Sequence, residues 1–128
     1  MSGLEVASVY IAVNILILIW LAFRVVSHRR QGKVSLGDGG SEDLARAIRA
    51  HGNATKYIPI MLIGLLALAF IQVPNWVIHA LGIAFTFGRL IHPMGMTSGP
   101  IQLRQLGILL SWTSLVILSL VLLYHVFT

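Results

Sequence analysis

A ladder of polar side chains between Glu42 and Tyr57 is the part of this sequence best suited to chemistry. Its members are Glu42, Arg46, Arg49, Asn53, Lys56 and Tyr57. At about 100° per residue of an α-helix, they fall on one face. Cations and an amide on one face offer charge-assisted hydrogen bonds, which a small anionic ligand requires. The ladder predicts a site for such a ligand, although Arg46 and Arg49 are equally suited to lipid headgroups or to pairing with Glu42.

Three further polar residues are candidates for the same site. Arg104 opens the last apolar segment, where the dipole of a helix N-terminus disfavours a cation and favours an anion. Arg89 and His92 lie near the end of the segment before it. Each arginine is also suited to the membrane edge, where its guanidinium reaches the headgroups. The spacing therefore leaves a binding role and an anchoring role open.

The apolar segments that position these residues require a membrane. Hydrophobic residues make up 57% of the 128 residues and charged residues only 10%, where a soluble domain has about a quarter. Three long stretches contain no Asp, Glu, Lys or Arg, namely 6–23, 57–88 and 105–128. Because roughly 20 helical residues span a bilayer, the outer stretches hold one helix each and the middle stretch holds two. The sequence predicts an all-α, integral membrane four-helix bundle.

Turn and capping residues set the expected helix ends. The segment Gly37–Gly40 cannot continue a helix, and Ser41 is a good N-cap for the second one. Pro74 marks the next turn, and the segment Pro93–Pro100 is expected to be a loop. The predicted helices are about 4–28, 41–73, 75–92 and 101–127, within one domain that covers residues 1–128.

Basic residues are concentrated on one side of the predicted bundle. The region between helices one and two carries most of them, the region between helices three and four carries Arg89 and Arg104, and the remaining turn carries none. By the positive-inside rule, both basic loops are predicted to be cytoplasmic and both termini non-cytoplasmic. Membrane orientation also accounts for the net charge of +5. We therefore predict no nucleic-acid partner.

The segments that carry these residues resemble the MAPEG family, the membrane-associated proteins in eicosanoid and glutathione metabolism. The resemblance rests on the glycine loop, the run RAIRAHGNATKYIP that begins at Arg46, the GRLIH segment that begins at Gly88, and the arginine that opens the last helix. It extends over essentially the whole chain and is greatest to the small bacterial members.

The resemblance implies a homotrimer of four-helix subunits in the bacterial inner membrane, with membrane lipids around it. Glutathione would be the co-substrate, bound between neighbouring subunits near the cytoplasmic side. Matched by position, Arg49, Asn53 and Tyr57 correspond to residues that hold glutathione. Arg104, expected from a neighbouring subunit, corresponds to the arginine that stabilises the thiolate and is the expected catalytic residue. The further expected binding residues are Arg46, Lys56, Arg89 and His92. The implied activity is that of a transferase or peroxidase acting on lipophilic electrophiles.

Two parts of the chain depart from the family pattern. Lys56 stands where the family usually has glutamate, which reverses one charge in the expected glutathione cradle. His92 and Met96 stand where eukaryotic members often have tyrosines. A lysine can still pair with a carboxylate of glutathione, but the contact to its ammonium or amide groups has to change.

Three other functions are compatible with parts of the sequence. A non-catalytic membrane protein of the same fold would bind a lipid or a small anion, and the lysine at 56 favours it. A haem-binding module would use histidines at similar depth. The candidates are His79 with His125 and His51 with His92. A small multidrug transporter also has four short helices, but the charge-free stretches hold no acidic residue to couple protons. The chain has no cysteine, and we predict no metal site.

Overall fold

The computed structural model describes residues 1–97 and 99–128, and this part of the chain forms four α-helices. They are α1 (Gly3–Gly32), α2 (Glu42–Phe70), α3 (Asn75–Met96) and α4 (Ile101–Phe127). Each helix is long and apolar enough to cross a membrane. The predicted all-helical class and the four spans are confirmed.

Serine side chains cap the first two helices. Ser2 Oγ accepts from the backbone nitrogen of Glu5 at 3.1 Å, and the Glu5 carboxylate accepts from the Ser2 nitrogen at 2.6 Å. Ser41 Oγ accepts from the Leu44 nitrogen at 3.2 Å, as the sequence predicted for the start of α2. With 29 residues, α2 is about 44 Å long and exceeds the roughly 30 Å hydrocarbon layer. Its first turns therefore extend beyond the apolar part of the bilayer.

α1 is longer than predicted. It continues past residue 28 to Gly32, because nothing before that glycine interrupts the helix. Lys33 then adopts the left-handed conformation, with φ of 54°. The backbone nitrogen of Val34 donates to the Arg29 carbonyl at 3.0 Å and closes the helix end.

The ends of α2 and α3 also differ from the prediction. α2 ends at Phe70 rather than 73, because Gln72 has φ of 60° and turns the chain early. α3 continues through Pro93 to Met96, so the expected loop from 93 was placed too early. A proline removes one backbone donor but keeps a helical φ, and a membrane helix tolerates it. The helix closes where the Thr97 nitrogen donates to the Pro93 carbonyl at 3.1 Å.

The bundle is built from two closely packed pairs, α1 with α2 and α3 with α4, joined by the contacts of α3 with α1 and α2. Asn75 Nδ2 donates to the Met1 carbonyl at 2.8 Å, which puts the N-terminus beside the α2–α3 turn. This end is termed the terminal end. The opposite end, which contains the α1–α2 and α3–α4 loops, is termed the basic end.

Glycines allow α3 and α4 to approach closely near the basic end. A Cβ atom added to Gly88 would lie 2.9 Å from the Gly107 carbonyl oxygen, and one added to Gly107 would lie 2.7 Å from the Gly88 oxygen. A Cβ added to Gly95 would overlap the backbone of Arg104. Because these positions carry no side chains, the first turns of α4 pack directly against the last turns of α3.

Neutral polar contacts join α1 to α3 towards the terminal end. Asn14 Nδ2 donates to Thr86 Oγ1 at 2.9 Å and to the Tyr10 carbonyl at 2.8 Å. The Tyr10 hydroxyl and His79 Nδ1 share a hydrogen bond of 2.6 Å. These four residues are termed the neutral cluster. Hydrogen bonds of this kind stabilise helix pairs where lipid offers no alternative partner.

Candidate functional site

The basic end contains a cavity of about 520 Å³ between α2, α3 and α4, termed the basic-end cavity. Its lining residues are Arg49, Gly52, Asn53, Lys56, His92, Met96, Arg104, Gln105 and Ile108. The α2 residues are three or four positions apart and form one helix face, while His92 and Met96 lie one turn apart on α3. The first turns of α4 complete the lining. Three helices therefore surround a site that the sequence indicated mainly on α2.

Five of the predicted site residues line this cavity. They are Arg49, Asn53, Lys56, His92 and Arg104. Within one chain, Arg104 lines the same cavity as Arg49, while the contribution of this arginine from a neighbouring subunit stays a prediction. The close approach of α4 to Gly95 is the physical reason for this placement. Arg104 Nη1 also donates to the Met96 sulfur at 3.8 Å, a weak contact that orients the guanidinium.

Arg46 lies beside this group. It lines a smaller cavity of about 300 Å³, whose lining also includes Arg49 and Arg104. Its Nη1 donates to the Thr97 carbonyl at 3.1 Å, and its Nη2 lies 3.7 Å from a carboxylate oxygen of Glu42. Arg46 thus connects the start of α2 to the end of α3 and adds a partly neutralised charge next to the main cavity.

Arg89 does not line the basic-end cavity. Its side chain is only 1% exposed and is buried among α2, α3 and α4. Its Nη1 donates to Asn53 Oδ1 at 2.6 Å, and its Nε donates to Ser111 Oγ at 3.0 Å. The guanidinium carbon lies 5.7 Å from the centre of the Tyr57 ring and 5.8 Å from that of Phe85. Arg89, Asn53, Ser111 and Tyr57 are termed the charged cluster.

The contact with Arg89 fixes the orientation of the Asn53 side chain. A guanidinium donates hydrogen bonds and cannot accept them, so the amide atom that faces it must be the oxygen. The amide nitrogen of Asn53 is then the group left for the cavity, and it is a donor. Arg89 Nη2 is buried and has no hydrogen-bond partner within the described chain. Its positive charge therefore remains partly uncompensated close to the cavity lining.

Sequence reasoning missed several of these relations. Tyr57 was predicted to contact the ligand, but the structure places it beside Arg89 rather than in the cavity lining. Ser111 was not predicted, although it lies seven residues after Arg104 and hence on a similar helix face. Gly52 and Gln105 were also missed. The three-residue spacing of Gly52 from Arg49 could have identified the first.

The charges of the basic-end cavity all have the same sign. Arg49, Lys56 and Arg104 contribute cations, and none of the described residues in the lining is acidic. The N-terminus of α4 has no side-chain cap, so its first backbone N–H groups add partial positive charge near Arg104. Together with the Asn53 donor, these groups can hold a small anion that carries several hydrogen-bond acceptors.

The sequence profile of the MAPEG family matches residues 7–124, nearly the whole chain, and the chain belongs to this family. With its four apolar helices, it is an integral membrane protein. Two relatives are the inner membrane protein YecN of Escherichia coli strain K12 and that of Escherichia coli O6:H1 strain CFT073. Each is 35% identical over 120 residues, which cover 94% of this chain and 92% of the relative.

Proposed function

We propose that this protein is a glutathione-dependent transferase or peroxidase of the bacterial inner membrane. It uses glutathione, or a similar anionic thiol, against lipophilic electrophiles that the bilayer supplies. The observation that carries the proposal is that Arg49, Asn53 and Arg104 line one cavity. Glutathione has two carboxylates and two peptide carbonyls, which are acceptors for Arg49 and Asn53, and a thiol for Arg104. Family membership supports the same ligand.

Arg104 has the catalytic role in this proposal. The thiolate is the reactive form of a thiol, and a guanidinium beside a helix N-terminus favours that form. The Met96 contact uses one N–H group of Arg104 and leaves others free for a bound sulfur. In the transferase step, the thiolate sulfur forms a bond to the electrophilic carbon, and the leaving group departs with its bonding electrons. The step balances without an oxidant or reductant.

The proposed assembly is a homotrimer with the termini on the non-cytoplasmic side. The basic residues near the α1–α2 and α3–α4 loops support this orientation through the positive-inside rule. The name of the two relatives supports an inner-membrane location. Because the chain has no cysteine, single cysteines at Leu36 and Gln72 provide a clean labelling test. We expect an impermeant maleimide to modify Gln72→Cys from outside and Leu36→Cys only after permeabilisation, and the reverse pattern would overturn the orientation.

The enzyme proposal is tested by measuring thiolate formation and turnover separately. Wild-type protein with glutathione should develop the ultraviolet absorbance of a thiolate, and should conjugate chlorodinitrobenzene. Arg104→Ala should keep glutathione affinity within a few fold but lose both signals, because the guanidinium acts on the ionised sulfur. Arg104→Lys keeps a cation and should recover part of the absorbance. A wild-type protein without thiolate or turnover would overturn the enzyme assignment.

A second candidate is a non-catalytic protein of the same fold that binds a lipid or a small anion. Lys56, in place of the usual glutamate, is the observation that favours it. This candidate predicts that wild-type protein binds glutathione or a phospholipid headgroup, with no thiolate absorbance and no conjugation. Lys56→Glu would then weaken binding without creating activity.

A further inference from the structure

We infer that the preferred ligand of the basic-end cavity is an anionic thiol whose amino group is blocked or absent, and that Lys56 determines this preference. The inference rests on the proposed function and concerns the chemical form of the thiol. At neutral pH, glutathione carries two carboxylates and one ammonium group. A form acylated on nitrogen keeps the carboxylates and loses the ammonium charge.

The described cavity lining has no acidic side chain that could pair with the ammonium group of glutathione. Its charged side chains are the cations Arg49, Lys56 and Arg104. The acidic residues of the whole chain are Glu5, Asp38, Glu42 and Asp43. Glu5 belongs to the capping box at the terminal end. The others lie in the α1–α2 loop or the first turn of α2.

A second copy of the chain does not supply an acidic side chain near Lys56. At about 1.5 Å per residue, Lys56 lies roughly 20 Å along α2 from Glu42. Subunits related by an axis along the membrane normal place equivalent residues at equal depth, so a neighbour's Glu42 remains about as far away in depth. The carboxylate that would neutralise an ammonium group near Lys56 is therefore missing from the assembly as well as from the single chain.

Two potential neutral acceptors in the lining are already engaged. Asn53 Oδ1 accepts the Arg89 hydrogen bond at 2.6 Å, and the Met96 sulfur accepts from Arg104. His92 and Gln105 retain acceptor capacity, but neither offers a negative charge. The polar surface of the cavity consists mainly of donors, and an ammonium group is itself only a donor.

The residue at position 56 determines whether the cavity prefers a free or an acylated amine. Its side chain lines the cavity three residues after Asn53 and seven after Arg49, on the same face of α2. A glutamate at this position would give the ammonium group a carboxylate partner. The lysine instead repels an ammonium group and attracts a carboxylate. Exchanging these two residues should therefore reverse the preference between free and acylated amines.

The test is calorimetric titration of the full-length protein in lipid nanodiscs with glutathione and with N-acetylglutathione. The wild type should bind N-acetylglutathione about fivefold more tightly or better, the factor expected for a like-charge contact in a partly solvated site. Lys56→Glu should reverse this order. Lys56→Gln removes only the charge and should bring the two affinities close together. Lys33→Glu introduces the same charge change in the α1–α2 loop, outside the cavity lining, and should keep the wild-type ratio.

Two different results would overturn the inference. The inferred preference is wrong if the wild type binds both compounds equally or binds glutathione more tightly. It is also wrong if Lys56→Glu leaves the ratio of the two affinities unchanged. In either case the proposed thiol site stands. If folded wild-type protein binds neither compound, the proposed function fails and the inference fails with it.

Discussion

Two polar clusters join the helices of this bundle, and they differ in charge. In the charged cluster, Arg89 donates to Asn53 on α2 and to Ser111 on α4. In the neutral cluster, Asn14 on α1 donates to Thr86 on α3. Each cluster also leaves one buried polar atom without a partner in the described residues, Nη2 of Arg89 and Oδ1 of Asn14.

The difference indicates what each cluster does. A neutral hydrogen bond between membrane helices contributes about 0.6 kcal/mol on average, which is enough to favour one packing over another. A charge within the membrane costs at least about 2.5 kcal/mol, so helix packing alone does not account for Arg89. Its contact with Asn53 gives a functional reason, because it turns a donor towards the cavity. We therefore propose that the charged cluster serves ligand binding, whereas the neutral cluster serves helix packing.

Alanine at Gly95 should have the largest effect, because the added Cβ would overlap the backbone of Arg104 and force α3 and α4 apart. We expect Gly95→Ala to lower the free energy of unfolding by about 2–3 kcal/mol and to weaken glutathione binding. Gly82→Ala is the matched change near the neutral cluster, where the Cβ would meet the Tyr10 ring at 2.5 Å. The overlap includes the Cγ atom of Tyr10, which ring rotation does not move, so this side chain has to shift as a whole. We expect a loss of about 1–2 kcal/mol and normal binding. Unfolding in detergent measures the loss of stability, and calorimetry measures glutathione affinity. Equal affinity in the two variants would contradict this comparison.

Replacing Arg89 should affect binding more than stability. Arg89→Met removes the donor that orients Asn53 and the charge near the cavity, and we expect glutathione affinity to fall roughly tenfold, or about 1.4 kcal/mol. The free energy of unfolding should change by less than about 1 kcal/mol, because an apolar side chain avoids the desolvation of a buried charge. The counterpart in the neutral cluster, Asn14→Leu, should bind glutathione like the wild type. Unchanged affinity in Arg89→Met would show that the charged cluster does not serve the cavity.

The smallest effect is expected at Thr86. Thr86→Val keeps the shape of the side chain and removes the acceptor of the Asn14 hydrogen bond. Asn14 Nδ2 retains its bond to the Tyr10 carbonyl, so the free energy of unfolding should fall by only about 0.5–1 kcal/mol. Glutathione titration should give the wild-type affinity. A severalfold change in affinity would mean that the two clusters are coupled.

The helices could be predicted because a segment that crosses a membrane must be a long, uncharged stretch of sequence. Stretches without charge gave the number of spans, and Ser41 gave the start of α2. The end of α3 was misplaced because Pro93 was read as a helix stop. In a membrane helix one missing donor is tolerated when neighbouring groups satisfy the rest, and that depends on packing which the sequence does not display.

The site could be predicted only in part, for a similar reason. The polar face of α2 is visible from helical periodicity, whereas the meeting of α2, α3 and α4 depends on how each helix is rotated. The sequence predicted that Arg89 either contacts lipid headgroups or lines the ligand site. In the structure its side chain is buried and does not line the cavity. Its burial follows from Ser111 and Asn53, which lie 22 and 36 residues away in sequence. No local pattern encodes such contacts.

Calorimetric titration of glutathione into the protein and its Arg49→Ala variant tests the central claim most directly, namely that the basic-end cavity binds an anionic thiol. Wild-type protein should bind glutathione, and Arg49→Ala should lose charge-assisted hydrogen bonds worth about 1.5–3 kcal/mol, or roughly tenfold or more in affinity. The control is Arg24→Ala, which removes an arginine whose guanidinium carbon lies 5.4 Å from the Trp20 ring on α1, outside the cavity lining. It should bind like the wild type. Equal affinity for wild type and Arg49→Ala, or no binding by the wild type, would contradict the account.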